Sequence, residues 1–537
     1  MNQAMAAAAV REGRTVLGIE LGSTRIKACL ASDDLTIMLD SCSYEWESAL
    51  VEGVWTYSLE QVWTGIQSVV GTIATRITTR FGVAGFSPKS IGISAMMHGY
   101  LPFDNAGELL VPFRTWRNTT AERAAAELSD LFECNVPSRW SIAHLHQAIL
   151  DAEPHVPQIA SLTTLAGYVH ERLGGGHVLG IGDASGMFPI DPTTGDYDGE
   201  LLRRYDEQLR SRAVVAAPLR HLLPQVCTAG QCTGRLTPDG ARLLDPSGLL
   251  RPGAVLCPPE GDAGTGMVVT NAVSPRTGNI SVGTSIFAMV VLDEPLPQTH
   301  PEVDCVVTPA GDPVAMVHCN NGTNELSAWA SVFARFAEIG GTPYDSDTVY
   351  RLLFDEAIAA TPDAGHLLAY NYLAGEPVSG LREGRPLLVR RPQDRLTLGN
   401  LMRAHIYSIF ATLALGMRIL TTDGVAIEQL AAHGGIFRTS GVAQRFLAGA
   451  LNIPITVADT AAEGGAWGMA VLAAYAVSSG DLSLGDYLQD RVFANSAPTI
   501  MSPIPADVAG FADYLDRYRT CLGLEHAATQ IVRNEQS

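Results

Sequence analysis

Charge is scarce in this chain of 537 residues: Asp, Glu, Lys and Arg together make up 17%, with 36 basic side chains against 56 acidic ones. The net charge of −20 repels nucleic acid and anionic membranes, so neither is an expected partner. Any phosphate-bearing ligand would need locally placed donors. Cysteine is sparse as well. The nine include no Cys-x-x-Cys pair, and the nearest two, Cys227 and Cys232, lack the matching second pair of a zinc site. Reduced, buried thiols in a cytoplasm are the expectation. Long apolar runs are missing. Ala4 to Val10 follows no cationic segment and meets Arg11, Glu12 and Arg14 at once, which reads as a loose start and not a signal peptide. Ile406 to Leu420, preceded by Arg403 and His405 and interrupted by Arg418, is too short to span a bilayer. No G-x-x-x-x-G-K-[S/T] occurs, which excludes a P-loop enzyme, and the Gly-rich-loop, H-R-D and D-F-G set of protein kinases is absent too.

What is present is apolar bulk and many turns. Hydrophobic residues reach 47%, and 52 glycines and 30 prolines are spread without a collagen-like period. At roughly 100–200 residues per domain, the length implies two domains, or three. Val16 to Glu20 is a short apolar run that meets a turn at Gly22, Ser23 and Thr24, and Ile26 to Leu30 continues as a second extended run. The pattern recurs near mid-chain, where Asn279 to Val282 meets Gly283, Thr284 and Ser285 before Ile286 to Leu292. Two copies of one unit, half a chain apart, argue for two related domains. Ser90 to Ser94 reads as a strand leading into Met96-Met97-His98-Gly99, and Thr119 to Phe132 as a helix. Further strands are expected at Ile427 to Ala432 and Ile455 to Ala458. Helices are expected at Leu398 to Thr421, Thr439 to Leu451 and Gly464 to Ala476. Alternating strands and helices give an α/β fold with mixed sheets. The expected division is a loose N-terminus over 1–14, a first domain over 15–273 and a second over 274–537, with the boundary near Asn271 to Gly278.

A glycine turn between strands lets backbone N–H groups approach an anion, and Ser23 and Thr24 add hydroxyls. Glu20 precedes that turn, where a carboxylate can hold Mg²⁺ directly or through water. The paired Gly-Ser/Thr hairpins, the Met97-His98-Gly99 segment, GDAGTG at Gly261 to Gly266, and HGGIFRTSGVAQRFLAGALNIPITVADTAAEGGAWGMA together resemble the FGGY family of carbohydrate kinases, with ketopentose kinases such as xylulokinase as the branch suggested. The resemblance runs from about Val16 to about Ala476. It implies two actin-like, ribonuclease H-like ATPase domains with a cleft between them, ATP on the second, the sugar against the first, and a homodimer by family habit.

On that resemblance Asp262 is the catalytic base, which orients the attacking hydroxyl and accepts its proton. Asp183, in GIGDASGMFPID, is the rival, better read as a structural turn near the sugar. Met97, His98, Trp116, Arg117 and Asn118 fall where the family reads its sugar. Gly22, Ser23, Thr24, Arg25, Gly283, Thr284, Gly434, Gly435 and Ser440 fall where it holds ATP, and Gln444 follows on the next helix. Gly464 to Gly468 and Met469 are assigned to close helix packing. Three departures stand out: Thr-Trp-Arg-Asn-Thr in place of Trp-Asn-Asp-x-Arg, Ala263 where Asn is common, and Glu20 where Asp is usual. The implied activity is ATP- and Mg²⁺-dependent phosphorylation of a ketopentose, with another polyol or a ketohexose as an alternative substrate. A non-catalytic nucleotide or sugar sensor on the same fold is the rival from another class. An actin-like ATPase acting on proteins is the third reading.

Overall fold

Two sheets of the same strand order organise the chain. The computed structural model describes residues 2–210, 217–439, 441–457, 464–496 and 498–531. In the first sheet, β1 (Thr15–Leu21), β2 (Arg25–Ser32) and β3 (Met38–Glu45) form an antiparallel meander, and β4 (Ser90–Ala95) lies parallel to β1. Two short strands, β5 (Gly234–Arg235) and β6 (Val255–Leu256), extend beyond β4, and β7 (Glu260–Gly261) pairs with the end of β4. In the second sheet, β8 (Thr277–Val282) and β9 (Ile286–Val291) form the hairpin. β10 (Val303–Val307) and β11 (Pro313–Cys319) lie beyond β9, while β12 (Gln429–His433), β13 (Ile455–Val457) and β14 (Thr499–Met501) continue from β8. Order β3-β2-β1-β4-β6 in one sheet matches β11-β9-β8-β12-β13 in the other. The mid-chain repeat legible in the sequence is therefore a repeat of topology.

Helices fill the spaces between and outside the sheets. α2 (Leu59–Phe81) buries Val62, Ile66, Val69, Ile73 and Ile77 along one stripe against the first sheet. Ser58 and Gln61 close a capping box at its start, worth about 1 kcal/mol, and Gly82 at φ 62° ends it in the left-handed region. The opposite face of that sheet carries α4 (Asp262–Val269) and α7 (Gly464–Ser478), whose core continues into Met289, Val291, Val314 and Met316 of the second sheet. α5 (Leu398–Thr422), with α6 (Val442–Leu451) packed beside it, covers the far face of the second sheet. The result is α2, sheet, α4 with α7, sheet, α5.

Several expectations need correction. Residues 2–11, expected to be loose, form α1 (Asn2–Arg11), because Ala6, Ala9 and Val10 bury against the first core and Arg11 Nη2 donates to Phe81 O at 3.3 Å. α5 is longer than its apolar stretch suggested. By length and composition it could cross a membrane, yet most of it is buried by protein, with Arg403 paired to Asp507 inside. α7, from the second half of the chain, packs on β1 and β4 of the first sheet. It is buried all round because its residues are small, and a Cβ on Gly18 of β1 would lie 2.0 Å from Ala466 O. The nine cysteines are free, but Cys232 and Cys305 are exposed where buried thiols were expected.

Candidate active site

Parallel strands end together, and their carboxyl ends are where α/β sheets bind ligands. Register places Glu20 of β1 beside Ser94 of β4, and Ser94 beside Glu260 of β7. The next residues along these strands carry the site. Asp262 opens α4 directly after β7, half-buried, and its Oδ1 accepts the Met97 backbone N–H at 3.0 Å. Burial pushes its carboxyl up to about 6; the Met97 N–H opposes this and the Glu20 charge adds to it. Gly261 leaves the room Asp262 needs, since a Cβ there would lie 3.0 Å from Met97 Cγ and 3.3 Å from Asp183 Oδ1.

Asp183 is no open turn. It sits in α3 (Ile181–Ala184), fully buried, with Oδ2 accepting from Thr164 Oγ1 at 2.6 Å and Oδ1 without a partner. Glu260 holds this segment: its carboxylate accepts the backbone N–H groups of Gly182, Asp183 and Gly261. Burial raises Asp183 to about 7, the Thr164 hydroxyl pulling it back and Asp262 adding to the rise. Burial, with Asp183 beside it, raises Glu260 to about 8. Three acids thus stand in line, of which Asp262 is the least buried. Glu260 was not singled out in the sequence. Its only signal is its place immediately before Gly-Asp.

His98 adopts φ 70°, is buried, and stacks on Trp140 at 6.5 Å. Its Nδ1 faces Gly186 O at 3.3 Å. A carbonyl cannot donate, so Nδ1 carries the proton and Nε2 is an acceptor. Burial, then the Arg139 charge, holds the imidazole well below its usual range and therefore neutral.

The first hairpin turn is braced from one side. Gly22 N–H bonds Arg25 O at 3.0 Å, while Trp46 Nε1–H donates to Gly22 O at 2.8 Å and Tyr57 O–H to Ser23 O at 2.6 Å. Glu20, Gly22, Thr24 and Arg25 line one open cavity of about 770 Å³. Arg25 turns outward to Glu45 at 3.0 Å. Lys27, absent from the expected set, lies nearer the acids, its Nζ 3.6 Å from Glu20 Oε2. Counting back from the 22–25 turn would have found it, because the register pairs residue 20 with residue 27. Glu20 Oε2 is buried with no hydrogen-bond partner, and Gly464 and Gly465 of α7 give it space: a Cβ at Gly465 would lie 2.4 Å from Glu20 Oε1. An oxygen with Lys27 as its ion-pair partner but no hydrogen bond suits Mg²⁺. Among the described residues no three acidic, His or Cys side chains converge on a metal.

In the second sheet, register sets Ser281 beside His433, so Gly283-Thr284 and Gly434-Gly435 meet at adjacent strand ends. Gly434 takes φ 129°, and a Cβ there would lie 2.0 Å from Val282 O. Gly283, Thr284 and Gly435 line a cavity of about 360 Å³ whose walls include Leu326, Tyr350, Phe354 and Ile436, with Thr323 and Ser327 at polar points. An apolar slot with a few fixed polar groups suits a flat base. Thr323 was missed in the sequence; its N–H and hydroxyl both donate to Gly283 O, at 2.9 and 3.1 Å. Gln444 is spent on Ile455 O and Thr499 O, and Ser440 lies outside the described residues.

Asn118, expected at the sugar, is bonded to neighbouring backbone. Its Oδ1 accepts Trp55 N–H at 2.8 Å, and its Nδ2 donates to Trp55 O and Thr115 O. Arg117 lies 4.0 Å over the Trp55 ring and bonds Ser48 Oγ, while Trp116 is exposed.

A family model described as the FGGY family of carbohydrate kinases, N-terminal domain, matches residues 15–247, and its C-terminal counterpart matches 278–477. No curated protein matches the sequence. Among solved structures, xylulose kinase from Rhodospirillum rubrum is 18% identical with a TM-score of 0.78, covering 96% of this chain and 100% of that one. Gluconate kinase from Lactobacillus acidophilus is 17% identical at TM-score 0.76, covering 96% and 98%. Glycerol kinase from Plasmodium falciparum, solved with ADP, is 13% identical at 0.72, covering 97% and 98%. At such identities the likeness concerns the fold.

Proposed function

The chain belongs to the FGGY family of carbohydrate kinases, and from that premise we propose that it transfers the γ-phosphoryl of ATP to a hydroxyl of a ketopentose such as xylulose or ribulose. The observation that supports this best is Asp262: a carboxylate raised to about 6, fixed by Met97 N–H, at the joint carboxyl ends of parallel strands. Such a group is ionised at neutral pH yet basic enough to accept a proton from a hydroxyl.

In this reading Asp262 aligns the attacking hydroxyl and takes its proton as the oxygen closes on phosphorus. The neutral His98 accepts a hydroxyl hydrogen bond at Nε2, and Trp116 and Arg117 lie outside this inner group, toward solvent. The Gly22–Thr24 turn, with its carbonyls tied back to Trp46 and Tyr57, offers N–H and hydroxyl donors to phosphate. Lys27 supplies the positive charge that the acid-rich site otherwise lacks. Glu20 would hold Mg²⁺, which neutralises phosphate charge when bound. Gly283, Thr284, Thr323 and Gly435 receive the nucleotide, and closure of the two sheets' clefts excludes water. A cytoplasmic location and a homodimer accord with such a role.

The test is ADP release against a panel of ketopentoses, ketohexoses, polyols and sugar acids. The proposal expects a ketopentose to give the highest kcat/KM. Turnover restricted to a sugar acid or to glycerol would overturn the ketopentose assignment, and no sugar-dependent release would favour the sensor reading.

A further inference from the structure

The edge strand of the second sheet, β10, is tied to the first lobe at both ends. At its start, the Arg139 guanidinium pairs with the Asp304 carboxylate, and Asn135 Nδ2 donates to Asp304 Oδ1 at 2.9 Å and to Val303 O at 3.1 Å. At its end, Val307 N–H donates to Ser185 Oγ at 3.3 Å. These anchors lie in two segments already met. Arg139 O accepts Gly99 N–H, Ser141 Oγ–H donates to Gly99 O, and Trp140 stacks on His98, so residues 139–141 grip the His98-Gly99 turn. Ser185 Oγ–H donates to Gly182 O at 2.6 Å, beside Asp183. Neighbouring β11 presents Val314 and Met316 to the layer between the sheets. By strand alternation His318 faces the same way, where the Arg139 charge reaches it.

We propose that β10 is a sensing strap: through Arg139–Asp304 at one end and Ser185 at the other, it makes docking of the ATP-binding lobe conditional on an ordered sugar site. The half-buried ion pair and the buried hydroxyl hold β10 only when the 97–99 and 182–186 segments stand in their present positions, and on the proposed function these are the segments that a sugar would order. Side-chain exposure of 23% for Arg139 and 10% for Asp304 makes their pairing depend on the dock, since either charge left alone there is poorly solvated. Arg139 and Asp304 are therefore positioning residues, and they rest on the sugar-kinase reading.

Hydrogen exchange at residues 303–307 is measured with and without D-xylulose, or the panel sugar that the wild type phosphorylates, alongside steady-state kinetics. In the wild type, sugar should slow exchange in the strap. Asp304→Asn should lose that response and raise KM for ATP at saturating sugar more than tenfold, with a smaller change in kcat. Arg139→Lys, which keeps the charge, should recover part of the response. Ser185→Ala, which removes only the far tie, serves if Asp304→Asn fails to fold, and should weaken the response at residue 307 first. Equal protection with and without sugar in the wild type, or full sugar protection in both Asp304→Asn and Ser185→Ala, overturns the strap while leaving the kinase intact. A wild type inert to the whole panel overturns the kinase reading and the strap with it.

Discussion

The backbone N–H of Met97 donates to Oδ1 of Asp262 at 3.0 Å, joining the end of one parallel strand to the first turn of the helix that follows another. The bond fixes one carboxylate oxygen and leaves the other for a substrate. It also ties Asp262 to the segment that carries His98.

Replacing Asp262 by Asn keeps an acceptor for Met97 N–H and removes the base. Sugar-dependent ADP release should fall by about 10²–10⁴-fold, the range of general-base contributions. ATP binding, read by calorimetry, should be nearly unchanged. Normal turnover would remove Asp262 from the chemistry.

The pH dependence follows from the raised carboxyls. On the proposed function Asp262 works ionised, so kcat/KM should fall as pH drops through about 6. Asp183, raised to about 7 from an unfolded value near 3.9, holds its proton longer folded than unfolded. Its contribution to stability is full at low pH and is lost as pH rises toward 7. Asp183→Asn should therefore flatten the dependence of Tm on pH between about 4 and 7. An unchanged slope would mean that Asp183 is ionised in the fold.

Gly465→Ala is a probe of Glu20 that leaves the acid in place. The added methyl would meet Glu20 Oε1 at 2.4 Å and Thr265 Oγ1 at 3.0 Å. Displacing the carboxylate from Lys27 and the metal position should raise the Mg²⁺ concentration needed for half-maximal rate, with Tm lowered by a few degrees only. A wild-type metal response would place Glu20 outside the metal's reach.

Asn118→Ala separates loop support from sugar reading. Trp55 N–H loses its partner, at a cost of about 1–3 kcal/mol if it stays buried and unpaired, while Trp55 O and Thr115 O keep the backbone N–H groups of residues 115 and 118. Thermal melts should show the loss, while the ranking of sugars should not change. A reordered sugar preference would return Asn118 to the sugar.

Gly434→Ala forces a side chain into a left-handed residue against Val282 O. Backbone strain of this kind costs about 1–3 kcal/mol, and 1.4 kcal/mol is tenfold in binding. KM for ATP should rise at least about tenfold, with KM for sugar little altered.

The two hairpins were legible because each is local: an apolar run, a glycine turn and a second run declare a strand pair within fifteen residues. Asp262 and His98 are different: the resemblance to the FGGY family, and not the local pattern, points to them. What the sequence hid is non-local. Asn118 and Arg117 look alike on paper, and only the distant Trp55 decides that one is spent on backbone and the other lies over a ring. Lys27 is hidden behind Arg25 until register is known. The alanines of α1 carry no amphipathic pattern, so nothing announced the surface they cover.

α7 has a further consequence, which concerns synthesis. The sheet made from residues 15 to 261 lacks the helix that covers one of its faces until residues 464–478 have emerged from the ribosome. At roughly 5–20 residues per second that interval is tens of seconds. Throughout it Val16 and Ala31 of the newborn sheet lack the part of their core that α7 supplies. The first lobe is therefore completed only after most of the second has been made, and a chain cut at the apparent boundary near residue 273 would be left with a sticky, unfinished half.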